Sequence, residues 1–189
     1  MTTTLIILGI AVSLILYGIV LYNNLVSIKH NVSKAWANID VLLKQRHDEL
    51  PKLVETCKQY MKYEQDTLEK VMEARSAVSR ARENQDIGAL GSAETSLRMG
   101  LGSLFAVAEA YPELKADQSF QHLQNRISSL ENTIADRREF YNESVNVNNA
   151  RIEQFPDILI ANQFGFSERE LLAFTEEEIT DVNVGVLFN

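Results

Sequence analysis

The chain is poor in the residues from which most catalytic and metal sites are built. Cysteine occurs once, at Cys57, which excludes a disulfide framework and a thiolate metal cluster. Cys57 falls on an apolar helical stripe, where a thiol behaves as a small core hydrophobe. The lack of disulfides suits the cytosol and is compatible with the periplasm. The three histidines, His30, His47 and His122, are far apart and form neither an HExxH pattern nor a Glu-x-x-His pair. No Ser or Cys stands in a recognisable nucleophile turn. We therefore assign no catalytic, cofactor-binding or metal-binding residue, and the chain is expected not to be an enzyme and to need no cofactor. Positive charge is also short: 18 Lys and Arg against 26 Asp and Glu leave a net charge of −8. An acidic surface opposes nucleic acid and anionic headgroups, so no nucleic-acid partner is expected. A single Trp and only three Pro leave a composition dominated by good helix formers.

Charge is absent altogether from one stretch, Leu5–Tyr22. As a helix it spans roughly 27 Å, close to the hydrocarbon thickness of a bilayer. A cleaved signal peptide would carry a basic n-region and a small-x-small cleavage site, whereas Met1-Thr2-Thr3-Thr4 precedes the stretch and Tyr22-Asn23-Asn24 follows it. A buried core helix apolar on every side would need a large domain around it. An uncleaved single span is the expected reading. Within it Tyr17 and Tyr22 suit the far interface, and Gly9 and Ser13 form a small-xxx-small pair that permits close helix approach. The membrane-spanning residues of interest are thus Leu5, Gly9, Ser13, Tyr17, Gly18 and Tyr22. Lys29 and Lys34 follow the span before the first acid, Asp40, so the positive-inside rule puts the large domain in the cytoplasm, with the periplasm as the alternative.

Beyond the span, Leu25, Ile28, Val32, Ala35, Ile39 and Leu42 alternate by three and four, a heptad-like seam of coiled-coil character. No turn signal separates it from the span, so one helix is expected to leave the bilayer and enter the aqueous domain. Lys44–Pro51 interrupts the pattern, and Pro51 predicts either a kink or a new helix. The seam resumes from Leu53 through Cys57, Tyr60, Met61, Leu68 and Val71 to Val78. Arg46 and Glu64 fall near seam positions, as polar ligands, or as groups solvated by snorkelling or paired within the bundle. Asp86 predicts the cap of a third helix over about 87–110. Its glycines, at 88, 91, 100 and 102, lack the strand, Lys and Ser/Thr of a phosphate loop and point to close approach of neighbouring chain. Tyr111–Leu114 reads as a loop. Asp117 or Ser119 then starts a long amphipathic helix with the seam Phe120, Leu123, Ile127, Leu130, Ile134, Tyr141, Val145 and Ile152, which Arg137 and Asn148 interrupt. It ends at Phe155-Pro156.

The tail changes character. Ile158–Ala161 is followed by Phe164-Gly165-Phe166, and Ser167 with Glu170 matches a capping box for a short helix over 168–174. Val182, Val184 and Val186 alternate ahead of Leu187 and Phe188. That pattern fits an edge strand, a plug into the bundle or a peptide for a partner. The candidate partner-binding residues of the tail are Phe164, Phe166, Val184, Leu187 and Phe188.

Ordered blocks along the chain carry a family resemblance. They are Tyr22–Val26, Ala35–Asp40, Lys44–Val54, Ala108–Leu114, Leu130–Asn132 with Arg137-Arg138 and Tyr141-Asn142, and Phe155-Pro156 leading to Ile160-Ala161 and Phe164–Phe166. Through them the chain resembles the LemA family of bacterial membrane-anchored proteins. Its N-terminus departs from the pattern in lacking basic residues, and its end, from Leu171 to Asn189, looks unlike the usual closing segment. The resemblance implies an up-and-down helical bundle behind one membrane helix; with the residue pattern, the expected fold is all-α, one transmembrane helix that continues into an antiparallel up-and-down bundle of long helices, with a short mixed C-terminal tail. The resemblance implies no reaction. The expected organisation is an anchor over 1–22 (span 5–22), a bundle over 23–156, and a tail over 157–189 with a short helix and a terminal extended segment. The expected function is a non-enzymatic, membrane-anchored scaffold that self-associates, in the bacterial inner membrane. The alternative is a tethered adaptor that recruits a protein through its bundle or tail. The expected partners are the lipid bilayer, further copies of the chain and, for the alternative, another protein.

Overall fold

The computed structural model describes residues 1–173. These form α1 (Thr2–Tyr60), α2 (Gln65–Glu83), α3 (Ile87–Ala108), α4 (Pro112–Ala116), α5 (Gln118–Glu153) and α6 (Asp157–Phe164), with no strand among the described residues. The all-α reading holds, as does the apolar helix that continues into the bundle: α1 runs unbroken for 59 residues.

Pro51 lies inside α1 and does not end it. A proline leaves the carbonyl four residues earlier without its helical donor, here that of His47. The Arg75 side chain of α2 fills the vacancy, its Nε donating to the His47 carbonyl oxygen at 3.0 Å. The helix thus continues through Pro51, and the carbonyl that the proline frees is satisfied by a residue 28 positions away. We predict that Arg75→Met costs about 1–3 kcal/mol, the penalty for an unsatisfied buried acceptor, as measured by urea unfolding of the full chain.

The true break comes ten residues later, at Met61–Glu64, where the periodicity predicts continued seam. The Met61 amide still closes on the Cys57 carbonyl at 2.8 Å, and Glu64 then accepts from Thr67 and Leu68 to open α2. The local sequence holds no Gly or Pro there; the return of α2 onto α1 overrides helix propensity. Arg75 sits at His47 and Arg82 at Asp40, so numbering rises along one helix as it falls along the other. The pair is antiparallel.

Asp86 caps α3, its Oδ1 accepting from the Ala89 amide at 2.8 Å. Just before it Gln85 takes a positive φ of 55°, a left-handed residue that closes the α2–α3 turn. The expected loop at Tyr111–Leu114 is instead the start of α4, with Pro112 in its first turn, where the missing donor costs nothing. Asp117 starts α5 by accepting from the Phe120 amide at 2.9 Å, and Tyr60 donates its hydroxyl to the same carboxylate at 3.1 Å. The α5 seam is buried as expected, but its charged interruption is Arg138, not Arg137. Of the α3 glycines, Gly91 has the tightest neighbour: a Cβ there would stand 2.7 Å from the Ala173 carbonyl oxygen. Close approach is confirmed at that position, and the approaching chain is the tail. Gly88 and Gly102 meet no such neighbour.

The packing divides into two compact units. One contains Met1–Asn38 and Arg137–Leu171; the other contains Ile39–Asp136 with the described residues from Leu172 on. Both α1 and α5 contribute to each. In the first unit Leu25, Ile152 and Ala161 form a small core with Ile160 and Phe166 packed against it, and Trp36 meets Tyr141 edge-on at 5.7 Å. In the second, α1, α2, α3 and α5 enclose Ile39, Leu43, Leu53, Leu90, Leu97, Leu104 and Ile127. Cys57 is part of that core, and burial pushes its thiol up to about 12. The thiol should therefore resist maleimide in the folded protein and react on unfolding, which mass spectrometry of labelled chains checks.

Candidate functional site

Two places bear on function: the apolar face of α1, and the polar groups buried among the helices.

From Leu5 to Val20, α1 presents its large apolar side chains outward; Leu5, Leu14 and Ile15 are all about two-thirds exposed, at 64–65%. A surface of this kind is not stable in water, and the helix is long and apolar enough to cross a membrane. Burial against the rest of the protein begins at Leu21 and Leu25. Among the described residues, Gly9 and Gly18 meet nothing within 4 Å of where a Cβ would lie. The Ser13 hydroxyl donates to the Gly9 carbonyl at 2.9 Å, which satisfies it inside an apolar medium. Tyr17 is exposed on the helix. Tyr22 meets Phe164 at 4.8 Å and Phe166 at 5.9 Å between ring centroids. The structure thus joins a residue at the end of the apolar segment to two of the tail candidates. Val184, Leu187 and Phe188 lie outside the described residues.

The tail's short helix is α6, which starts right after Pro156; residues 167–173 are not helical, contrary to the capping-box reading. Backbone pairing with α5 replaces the expected cap. The Asn149 side chain accepts from the Arg169 amide and donates to its carbonyl, both at 2.9 Å. Asn148, buried on the α5 seam, donates to the Ser167 carbonyl at 3.3 Å, and the Tyr141 hydroxyl donates to that of Glu170 at 3.0 Å. Burial raises the Tyr141 pKa. These three side chains strap 167–170 along α5. Asn148 shows in the sequence only as an interruption of the seam and Asn149 not at all, because an amide pairs with backbone only once the partner segment is brought alongside. Asn149→Ala removes both hydrogen bonds to the Arg169 backbone, worth about 1 kcal/mol each; we predict faster tryptic cleavage after Arg169 in limited proteolysis, with the helical content unchanged.

The second unit holds a buried charge cluster. Arg46 shares the helix face of Ile39 and Leu53 and is 1% exposed. One guanidinium nitrogen donates to Glu94 of α3 and the other to Glu131 of α5. Glu94 is also buried, and Glu131 is about one-fifth exposed. Burial alone would pull the Arg46 pKa down; the two carboxylates outweigh it and hold it above the usual value. The Arg46 Nε makes no hydrogen bond. Of the sequence readings of Arg46 (ligand, snorkelling or pairing), the structure shows pairing within the bundle. Glu64, the other seam acid, is half-buried at the start of α2. Next to Arg46, the His47 Nε2 lies 2.6 Å from Arg75 Nη2. Since a guanidinium only donates, His47 must accept and is neutral; burial, and then the Arg75 charge, lower its pKa. Among the described residues no group of three or more His, Cys, Asp and Glu is placed to hold a metal ion.

The profile of the LemA family matches residues 35–188. The chain belongs to the LemA family. The match runs through the closing segment, which by its residues looked unlike the family's, so the tail is part of the family domain. A LemA protein of Metamycoplasma hominis is 25% identical over 88% of this chain and 75% of its own length. Magnetosome protein MamQ 2 of Paramagnetospirillum magneticum is 34% identical over 45% of this chain and 32% of its own. Magnetosome protein MamQ of Magnetospirillum gryphiswaldense is 30% identical over 43% and 30%. The chain thus spans about a third of the length of the MamQ relatives it matches. Membership in the family, together with an exposed apolar helix long enough to cross a bilayer, makes this LemA chain a membrane-associated protein.

Proposed function

We propose that this LemA chain is a non-enzymatic scaffold of the bacterial inner membrane that self-associates through its anchored helices. On this reading residues 1–22 are the anchor, 23–156 the bundle and 157–189 the tail. The observation that carries the proposal is α1: a single unbroken helix bears both an outward-facing apolar segment and the seam of the bundle. Gly9 and Ser13 leave one stripe of that segment open for a second helix, and small residues are what lets helices approach in lipid. Lys29 and Lys34, both exposed just past the span, favour a cytoplasmic bundle. Cysteine cross-linking in membranes tests self-association. Ser13→Cys should form a disulfide dimer under mild oxidation, and Ala11→Cys, on the opposite side of the helix, should not. Failure of Ser13→Cys to cross-link across a range of expression levels would remove this face as a contact.

An adaptor reading rests on the open groove between α2 and α3, about 1120 Å³, lined by Met72, Ala77, Met99 and Gly100. A helix of another protein would fit it. Under this reading Gly100→Leu would abolish a pull-down and leave self-association intact.

A further inference from the structure

We infer that α6 is a second membrane contact of this protein, a short interfacial helix seated in the headgroup–acyl boundary of the same bilayer leaflet face at which α1 emerges. The inference rests on the spanning reading of α1 and extends it to a segment far away in sequence.

Position is the first ground. Ala161 and Ile160 of α6 pack with Leu25 of α1, and Phe164 and Phe166 meet Tyr22, the last residue of the apolar segment, in a tilted and an edge-on contact. Within this unit α6 is therefore level with the point where exposed apolar surface gives way to buried seam. Surface chemistry is the second ground. Phe155, Leu159 and Phe164 are 80%, 60% and 59% exposed, although Phe155 and Phe164 are among the residue types that water most disfavours. Leu159 points away from the packed side, where Asp157 and Ala161 are buried. Its exposed companions on α6, Asn162 and Gln163, are polar without charge. Charge is the third ground. From Ile158 to Ser167 the sequence holds no ionisable side chain, and Asp157, the one acid at the start of α6, is buried against Arg151 at 3.1 Å. An exposed, uncharged, aromatic-rich segment beside the mouth of a span has the composition of a membrane interface, where aromatic rings sit at headgroup level. The occupant is thus the lipid surface itself, continuous with the lipid around α1. The segment has no basic residue with which to select anionic headgroups, so contact should not depend on them.

The test uses the full chain, with Cys57→Ser, reconstituted in phosphatidylcholine vesicles. Single cysteines at Leu159, Val12 and Ala37 carry an environment-sensitive fluorophore, and phosphatidylcholine spin-labelled near the headgroup or deep in the acyl chain supplies the quencher. Ala37 lies on α1 about 22 Å beyond Tyr22 and serves as the aqueous control. The expected result is blue-shifted emission at Leu159 with loss of intensity to the shallow quencher, loss to the deep quencher at Val12, and neither at Ala37. Deep quenching at Val12 with water-like, unquenched emission at Leu159 overturns the interfacial role of α6 while leaving the span intact. Water-like emission at Val12 overturns the span and with it this inference.

Discussion

Replacing Arg46 with Leu should destabilise the bundle by about 3–5 kcal/mol, the cost typical of removing one partner from a buried ion pair. For a chain of this size that lowers the melting temperature by roughly 10 °C. The loss comes from what is left behind. Glu94 is buried and would keep its carboxylate without the Arg46 charge that faces it, in a core that is mostly apolar. Glu131 is partly exposed, so water relieves it, and Glu131→Gln alone should cost about 1 kcal/mol or less. A triple variant, Arg46→Met with Glu94→Leu and Glu131→Gln, should recover most of the loss, because an apolar layer removes the desolvation cost of all three groups. Calorimetry of the single and triple variants distinguishes this from simple loss of side-chain volume. If the triple variant is no more stable than Arg46→Leu, the trio contributes net stability. What an ion trio supplies that leucines cannot is register: Arg46 fixes the vertical alignment of α1 against α3 and α5 at one level, the best-attested use of a lone polar position in a helical core.

Inserting two glycines between Asn23 and Asn24 should leave the protein in the membrane and remove ordered assembly. Two residues rotate the helix beyond them by roughly 200° and advance it by roughly 3 Å. Each glycine also weakens the helix by about 1 kcal/mol relative to alanine. The insertion falls between Leu21 and Leu25, where burial begins, so the apolar segment and the seam no longer share one helix phase. Carbonate extraction should still find the chain in the membrane fraction. Cross-linking through Ser13→Cys should persist as dimers, while larger species disappear. Assembly that survives unchanged would reduce the span to a tether.

Much of the fold is legible in the residues themselves, since apolar spacing is set by helix geometry. The seams from Leu25 to Ile39 and from Phe120 to Ile152, the capping role of Asp86 and the stop at Pro156 all follow from local rules. What escapes those rules depends on distant partners. Pro51 is compatible with two local outcomes; the helix continues through it, and Arg75 of another helix satisfies the carbonyl it frees. The turn at Met61–Glu64 carries no breaker and exists because α2 packs back on α1. Of the candidate site, the apolar face of α1 with Gly9 and Ser13 was readable from composition. The union of Tyr22 with Phe164 and Phe166 was not, because it joins residues more than a hundred positions apart. Asn148 stood out only as a break in the seam and Asn149 not at all: an amide on a helix gives no sign of the backbone segment it will hold.

The central claim is that the anchored helices of this LemA chain build an assembly. The most direct measurement is the mass of the particle extracted from native membrane in mild detergent, with the chain at its natural abundance. A discrete species containing several copies of the chain is the predicted result. A particle of one chain, both in detergent and in membrane fragments released without it, would contradict the claim.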